Sequence, residues 1–108
     1  MEKKVITHWD IMKELNPELN EKTAAWRTHL TNDPTIPRKY KELMMVAMSC
    51  VIRFIPGIKA HAKFAMDNGA TKDELFATLA QTLTIGGIPA YREGSIALQE
   101  TLLENGEK

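Results

Sequence analysis

The hydrophobic positions of this chain fall into blocks separated by proline, glycine and asparagine, and the blocks repeat at helical spacing. Leu19, Trp26 and Leu30 recur at that spacing, with Thr23 between them. From Leu43 to Ile52 the chain runs ten residues in which only Ser49 is clearly polar. Ile58, His61, Ala65 and Asn68 then line one helix face, flanked by Ala62 and Phe64. Leu75, Phe76, Leu79 and Leu83, with Ile85 beyond them, form the buried stripe of a further helix. No stretch alternates with a period of two, so the pattern predicts an all-α protein.

The polar punctuation sets the helix ends. Thr7 can cap a short first helix with Asp10 in its first turn, where a carboxylate suits the helix dipole. Asn16-Pro17 closes that helix and opens the next, Asn16 as cap and Pro17 at the first helical position. His29 falls in the last turn of that second helix, a favourable place for a cation on the surface. Residues 32–37 hold two prolines and read as a loop, with Pro37 opening the third helix. Pro56-Gly57 ends or bends the third helix, and Pro56 starts the fourth. Gly69 is a C-cap, and Thr71 with Glu74 is a capping box for the fifth helix. Gly86-Gly87 breaks that helix, Pro89 begins a sixth, and Asn105-Gly106 ends it. The expectation is about six helices in one domain spanning residues 1–108, a length that suits a single modest core.

Charge narrows the function classes. Lys plus Arg number 14 and Asp plus Glu number 14, a net charge of zero with neutral histidines. That balance offers no electrostatic footprint for nucleic acid or an anionic membrane. It also removes a common barrier to self-association. The run from Leu43 to Ile52 is too apolar for so small a domain to cover alone, so part of it is expected to lie against another subunit. The run is far short of the ~20 residues needed to cross a bilayer. The N-terminus carries no apolar segment of signal-peptide length, and a single cysteine, Cys50, permits no internal disulfide. A reducing, cytoplasmic setting is the expectation.

Two ionisable residues stand out against this apolar background. Glu42 precedes the apolar run, and His61 sits on an otherwise apolar helix face. Each has a plain structural explanation. Glu42 can pair with Arg38, four residues back, at a few tenths of a kcal/mol. A lone histidine among Ile and Ala is commonly a satisfied core or interface residue. Met44, Met45 and Met48 read as core filling rather than a soft-metal site. His8, His29 and His61 are too scattered to imply a metal.

The order Lys41-Glu42-Leu43, apolar run, His61, Ala65, Asn68-Gly69-Ala70-Thr71, Asp73-Glu74-Leu75 and Gly87-Ile88-Pro89-Ala90 carries a resemblance. Residues 42–90 resemble the carboxymuconolactone decarboxylase family, which includes the alkylhydroperoxidase D-like proteins. The resemblance implies an all-helical fold and homo-oligomers, trimers or hexamers. The peroxidase branch carries a Glu, a Cys-x-x-Cys pair and a His. With Glu42 and His61 on the outer positions, Phe54 and Gly57 stand where the two cysteines would be. Neither can supply a thiolate. The decarboxylase branch lacks that pair and implies chemistry on a small molecule with no cofactor. Loss of carbon dioxide from a carboxylated lactone leaves an enolate-like carbanion, which needs charge stabilisation and a proton. His61 suits the proton transfer and Glu42 can orient it or accept a proton. Arg53, Lys59 and Arg92 are the cations nearest in sequence that could hold substrate carboxylates. Two other readings stand beside this one: a redox protein using Cys50 with an external thiol, and a non-catalytic oligomer that binds a ligand.

The expected acid–base pair carries a geometric condition. Glu42 lies some three turns before the bend at Pro56-Gly57 and His61 only one turn after it. A simple helical hairpin would leave them more than ~10 Å apart at ~1.5 Å per residue. Their approach within one chain is therefore expected to need a displaced, crossing fourth helix.

Overall fold

The computed structural model describes residues 6–106, and the chain forms two compact units, residues 1–35 and 36–108. The first unit is a pair of helices, α1 (His8–Leu15) and α2 (Pro17–Asn32). Thr7 caps α1 reciprocally. Its Oγ1 accepts from the Asp10 backbone N–H at 3.2 Å, and its own backbone N–H donates to Asp10 Oδ2 at 2.9 Å. Asn16 ends α1 and caps α2, its Oδ1 accepting from the Leu19 N–H at 3.2 Å. The Arg27 guanidinium lies over the Trp9 ring, 3.7 Å from its centroid. No residue of either helix is buried.

The second unit holds the core. It contains α3 (Arg38–Val51), α4 (Ile55–Asp67) and α5 (Lys72–Glu104). A capping box between Thr71 and Glu74 starts α5. Gly87 interrupts α5 with φ 71° and ψ −168°, a conformation open to glycine and strained for other residues. The helix therefore has two arms, residues 72–86 and 88–104, and the second doubles back on the first. A Cβ placed on Gly94 would collide with Leu79 Cδ1, although 15 positions separate the two in sequence. Continuous helix would hold them ~20 Å apart. Counted by rods, the described residues form six helices, with the break at Gly86-Gly87 and the restart at Pro89 that the sequence predicts.

Val46, Cys50, Ile58, Leu75, Leu79, Leu98 and Leu102 are fully buried and bring α3, α4 and both arms of α5 into one core. Each of the buried leucines contributes roughly 2 kcal/mol by leaving water. Two exposed-edge ion pairs trim the assembly. Lys39 meets Glu74 at 3.0 Å, joining the first turns of α3 and α5, and Lys59 meets Glu100 at 2.6 Å, joining α4 to the second arm. Pairs this exposed contribute less than about 1 kcal/mol each.

The apolar run of α3 is only half covered by its own chain. Its inner residues reach the core, but Met44, Met48 and Ile52 remain 46%, 54% and 72% exposed. Beside them an open cleft of about 630 Å³ runs between α3 and the first arm of α5, lined by Met48, Val51, Ile52, Gln81 and Ile85 among others. No helix among the described residues is long and apolar enough to cross a membrane.

Candidate functional site

The end of α3 decides where α4 begins. The Arg53 N–H donates to the Cys50 carbonyl at 3.1 Å and the Phe54 N–H to the Ser49 carbonyl at 2.8 Å. This is a Schellman closure, and its left-handed position is usually glycine. Here it is Arg53, with φ 59°. The three-residue link then hands the chain to α4 at Ile55, with Pro56 in the first turn, where a missing N–H costs nothing.

This closure brings the polar pair together. Glu42 lies nine residues before the end of α3, and His61 six residues after the start of α4. The mismatch is three residues, about 4.5 Å of rise, within the reach of two long side chains. Glu42 Oε2 sits 2.7 Å from His61 Nδ1 inside one chain. Ser49, seven residues beyond Glu42 on α3, faces Gly57, four residues before His61 on α4. The two helices thus run antiparallel as a hairpin. The bend expected at Pro56-Gly57 is corrected: α3 ends at Val51 and α4 starts at Ile55, which shortens the offset between the two residues.

Glu42 is 7% exposed, so its carboxylate needs partners. One oxygen takes His61, and the other accepts from Arg38 Nε at 3.4 Å. The pairing with Arg38 that would have explained Glu42 structurally and the pairing with His61 are both present. A carboxylate oxygen facing Nδ1 fixes the ring so that Nδ1–H donates to Glu42. Nε2 is left as the nitrogen able to exchange a proton with a bound molecule. The His61 side chain is one-third exposed, so water and small molecules reach it. The edge of Phe64 meets its ring at a centroid distance of 5.9 Å.

The three cations proposed from sequence are not gathered here. Lys59 is held by Glu100 at 2.6 Å and Glu104 at 3.9 Å, and those carboxylates raise its pKa, the hydrogen bond to Glu100 first. Arg92 pairs with its neighbour Glu93 at 3.3 Å. Arg53 is exposed at the helix end. No contact joins any of the three to Glu42 or His61 among the described residues. Arg38 is the cation attached to the pair, and its place four residues before Glu42 was the only sequence signal for it.

Phe54 and Gly57 form one steric unit. A Cβ on Gly57 would lie 2.5 and 2.9 Å from Cδ2 and Cε2 of Phe54, and 2.7 Å from Ser49 Oγ. The ring occupies the space a side chain at 57 would need. Cys50, next to Ser49 on α3, is fully buried against Gly94 of the second arm of α5. Burial pushes its thiol up to about 11. No group of three His, Cys, Asp or Glu side chains among the described residues could hold a metal ion.

The carboxymuconolactone decarboxylase family model matches residues 17–100, most of the chain. The chain belongs to the carboxymuconolactone decarboxylase family. A member of this family from Legionella pneumophila, solved in its apo form, superposes with a TM-score of 0.76 at 25% identity, covering 87% of each chain. A family protein from Thermotoga maritima, described in connection with an antioxidative response, superposes with a TM-score of 0.72 at 24% identity. It covers 94% of this chain and 91% of its own. At that identity the Thermotoga protein shows the shared fold alone. Comparison with curated proteins gives no match. The family's all-helical fold, expected from residues 42–90, is thus matched over a longer stretch, residues 17–100.

Proposed function

We propose that this chain is an acid–base enzyme of the decarboxylase kind, acting on a small carboxylated lactone or a related compound without a cofactor. The observation that supports it is the 2.7 Å contact between Glu42 Oε2 and His61 Nδ1 at a solvent-reachable imidazole. In this reading the carbon–carboxylate bond breaks, carbon dioxide leaves, and the electron pair remains on substrate as an enolate. His61 Nε2–H then delivers the proton to carbon. Glu42 stabilises the charged imidazole and holds its ring, and Arg38 holds Glu42. Water restores the proton through the exposed edge of His61. Positioned proton transfer of this kind is worth about 10² to 10⁴ in rate.

The test is carbon dioxide release from a carboxylated γ-lactone, with deuterium incorporation from heavy water. His61→Gln, folded by circular dichroism, is expected to lose at least ~100-fold in turnover. Wild-type turnover by that variant overturns the reading. The redox alternative has physical arguments against it. Phe54 and Gly57 offer no sulfur, and Cys50 is buried with a raised pKa. Peroxide consumption with a dithiol donor is expected to stay at background. Turnover that vanishes in Cys50→Ser would reinstate it.

We also infer a cytoplasmic homo-oligomer, a trimer or hexamer by family resemblance. The open apolar cleft lined by Met48, Val51, Ile52 and Ile85 supports it, since monomers rarely leave such a surface in water. Light scattering at micromolar concentration is expected to give a multiple of the 12.2 kDa chain mass. A stable monomer would refute the oligomer.

A further inference from the structure

Phe54 is a half-exposed aromatic ring that is nonetheless fixed in place. Its N–H donates to the Ser49 carbonyl at 2.8 Å, and its carbonyl accepts the Ile58 N–H at 3.1 Å. The main chain is therefore tied to the end of one helix and the start of the next. Its ring rests on the bare Cα of Gly57, close enough that no Cβ fits beneath it. The residue just before it, Arg53, is held at φ 59°, a conformation that disfavours any residue but glycine. Backbone strain of this kind, over-determined by its surroundings, gathers at functional sites.

The seat of the ring also shares a helix face with the site. Gly57 and His61 are four residues apart and share one face of α4, and Ser49 and Glu42 approach that face from α3. One helical turn, ~5.4 Å, separates the seat of the Phe54 ring from His61. Phe64 bounds His61 on the other side, at 5.9 Å and 72°. Phe54 remains 48% exposed and Phe64 42%, so both rings are open to a molecule from solvent. The seat of Phe54, His61 and Phe64 thus follow one another along α4.

We propose that Phe54, seated on Gly57, is a specificity-determining wall of the His61 site, and that it takes the flat face of an aromatic or conjugated ring whose carboxyl or carbonyl group meets His61. The proposal rests on the reading of His61 as the working group and names the class of molecule it serves. It gives the residues at the two positions where the family's peroxidase branch has cysteines a joint role: a ring at 54 requires no side chain at 57.

The experiment is titration of the full chain with benzoate and with acetate, followed by the NMR signals of the His61 imidazole, assigned with His61→Gln. The two probes share the carboxylate and differ in the ring. Benzoate is expected to perturb His61 and to bind at least ~5-fold more tightly than acetate, the worth of one aromatic contact. Phe54→Ala and Phe54→Leu are expected to lose about that factor for benzoate and nothing for acetate, while Phe54→Tyr keeps it. Gly57→Ala, which lifts the ring from its seat, is expected to behave like Phe54→Ala, and the double variant to add no further loss. Equal affinity for the two probes in the wild type overturns the proposal, as does a Phe54→Leu protein that binds benzoate unchanged. A Phe54 variant that alters only the mass in solution makes Phe54 an interface residue instead. Turnover that survives His61→Gln while benzoate selection still follows Phe54 breaks the acid–base reading and leaves the wall standing.

Discussion

One helix, α3, carries two side chains with reactive potential, and the fold treats them in opposite ways. Glu42 near its start and Cys50 near its end are both buried, at 7% and 0% exposure. Glu42 is given partners: Arg38 on one oxygen and His61 on the other. Cys50 is given only carbon and the close backbone of Gly94, so desolvation alone acts on it and its thiol rises to about 11. Burial by itself therefore says little about chemistry. A buried carboxylate with hydrogen-bonding partners stays in contact with a solvent-reachable side chain, and a thiol buried in hydrocarbon is silenced.

The comparison can be broken at either end. The largest effect is expected from Glu42→Gln, which keeps the shape and removes the charge facing Nδ1. Turnover should fall about 10²- to 10³-fold, roughly 3–4 kcal/mol of barrier, while Cys50→Ala stays within about twofold of wild type. Steady-state kinetics on both variants decides it, and equal losses would erase the distinction between the two ends.

A somewhat smaller effect concerns pH and the thiol. The folded pKa of Cys50 is raised from 9.0 to about 11, so the folded state keeps its proton where the unfolded state releases it. Stability is thus complete below pH 9 and declines as pH rises from about 9 towards 11. The loss is about 2 kcal/mol, and is absent in Cys50→Ala. Urea melts across that range measure it, and a flat wild-type profile relative to the variant would show that the thiol is not isolated. Slow alkylation of Cys50 in the folded chain is the same statement read kinetically.

The smallest effect lies just past the end of α3. Arg53→Gly removes the left-handed strain at φ 59° and should raise stability by about 0.5–1 kcal/mol. A thermal melt checks this. A loss would mean that the Arg53 side chain makes a stabilising contact that outweighs the strain.

Much of the architecture was legible because it is local. Thr7 with Asp10, Asn16 with Pro17, and Thr71 with Glu74 start helices where the sequence placed them, since caps are satisfied within one turn. Gly86-Gly87 and Pro89 announced the break within α5, because backbone freedom and a missing N–H act on the residue that carries them. The buried stripe expected of Leu75, Phe76, Leu79, Leu83 and Ile85 was only partly right, since Phe76 is half-buried and Ile85 is exposed. Leu75 and Leu79 are buried, but Leu83 is 41% exposed near the open cleft. Periodicity gives a face, not what covers it.

The sequence by itself determined the helical class, the helix starts, the break at Gly87, and, through family resemblance, the choice of Glu42 and His61. Only the tertiary structure decided that those two meet, since the contact depends on where α3 stops. That end is set by a backbone closure through Arg53, a residue with no sequence signature for the left-handed position. The same holds for the cation beside the pair. Lys59 is at least as near to His61 in sequence as Arg38 is to Glu42, but partners across helices claimed Lys59, and helix periodicity placed Arg38 one turn from Glu42. Local rules fix each element through bonds it makes with itself. Which side chains face one another across elements depends on packing summed over the whole core.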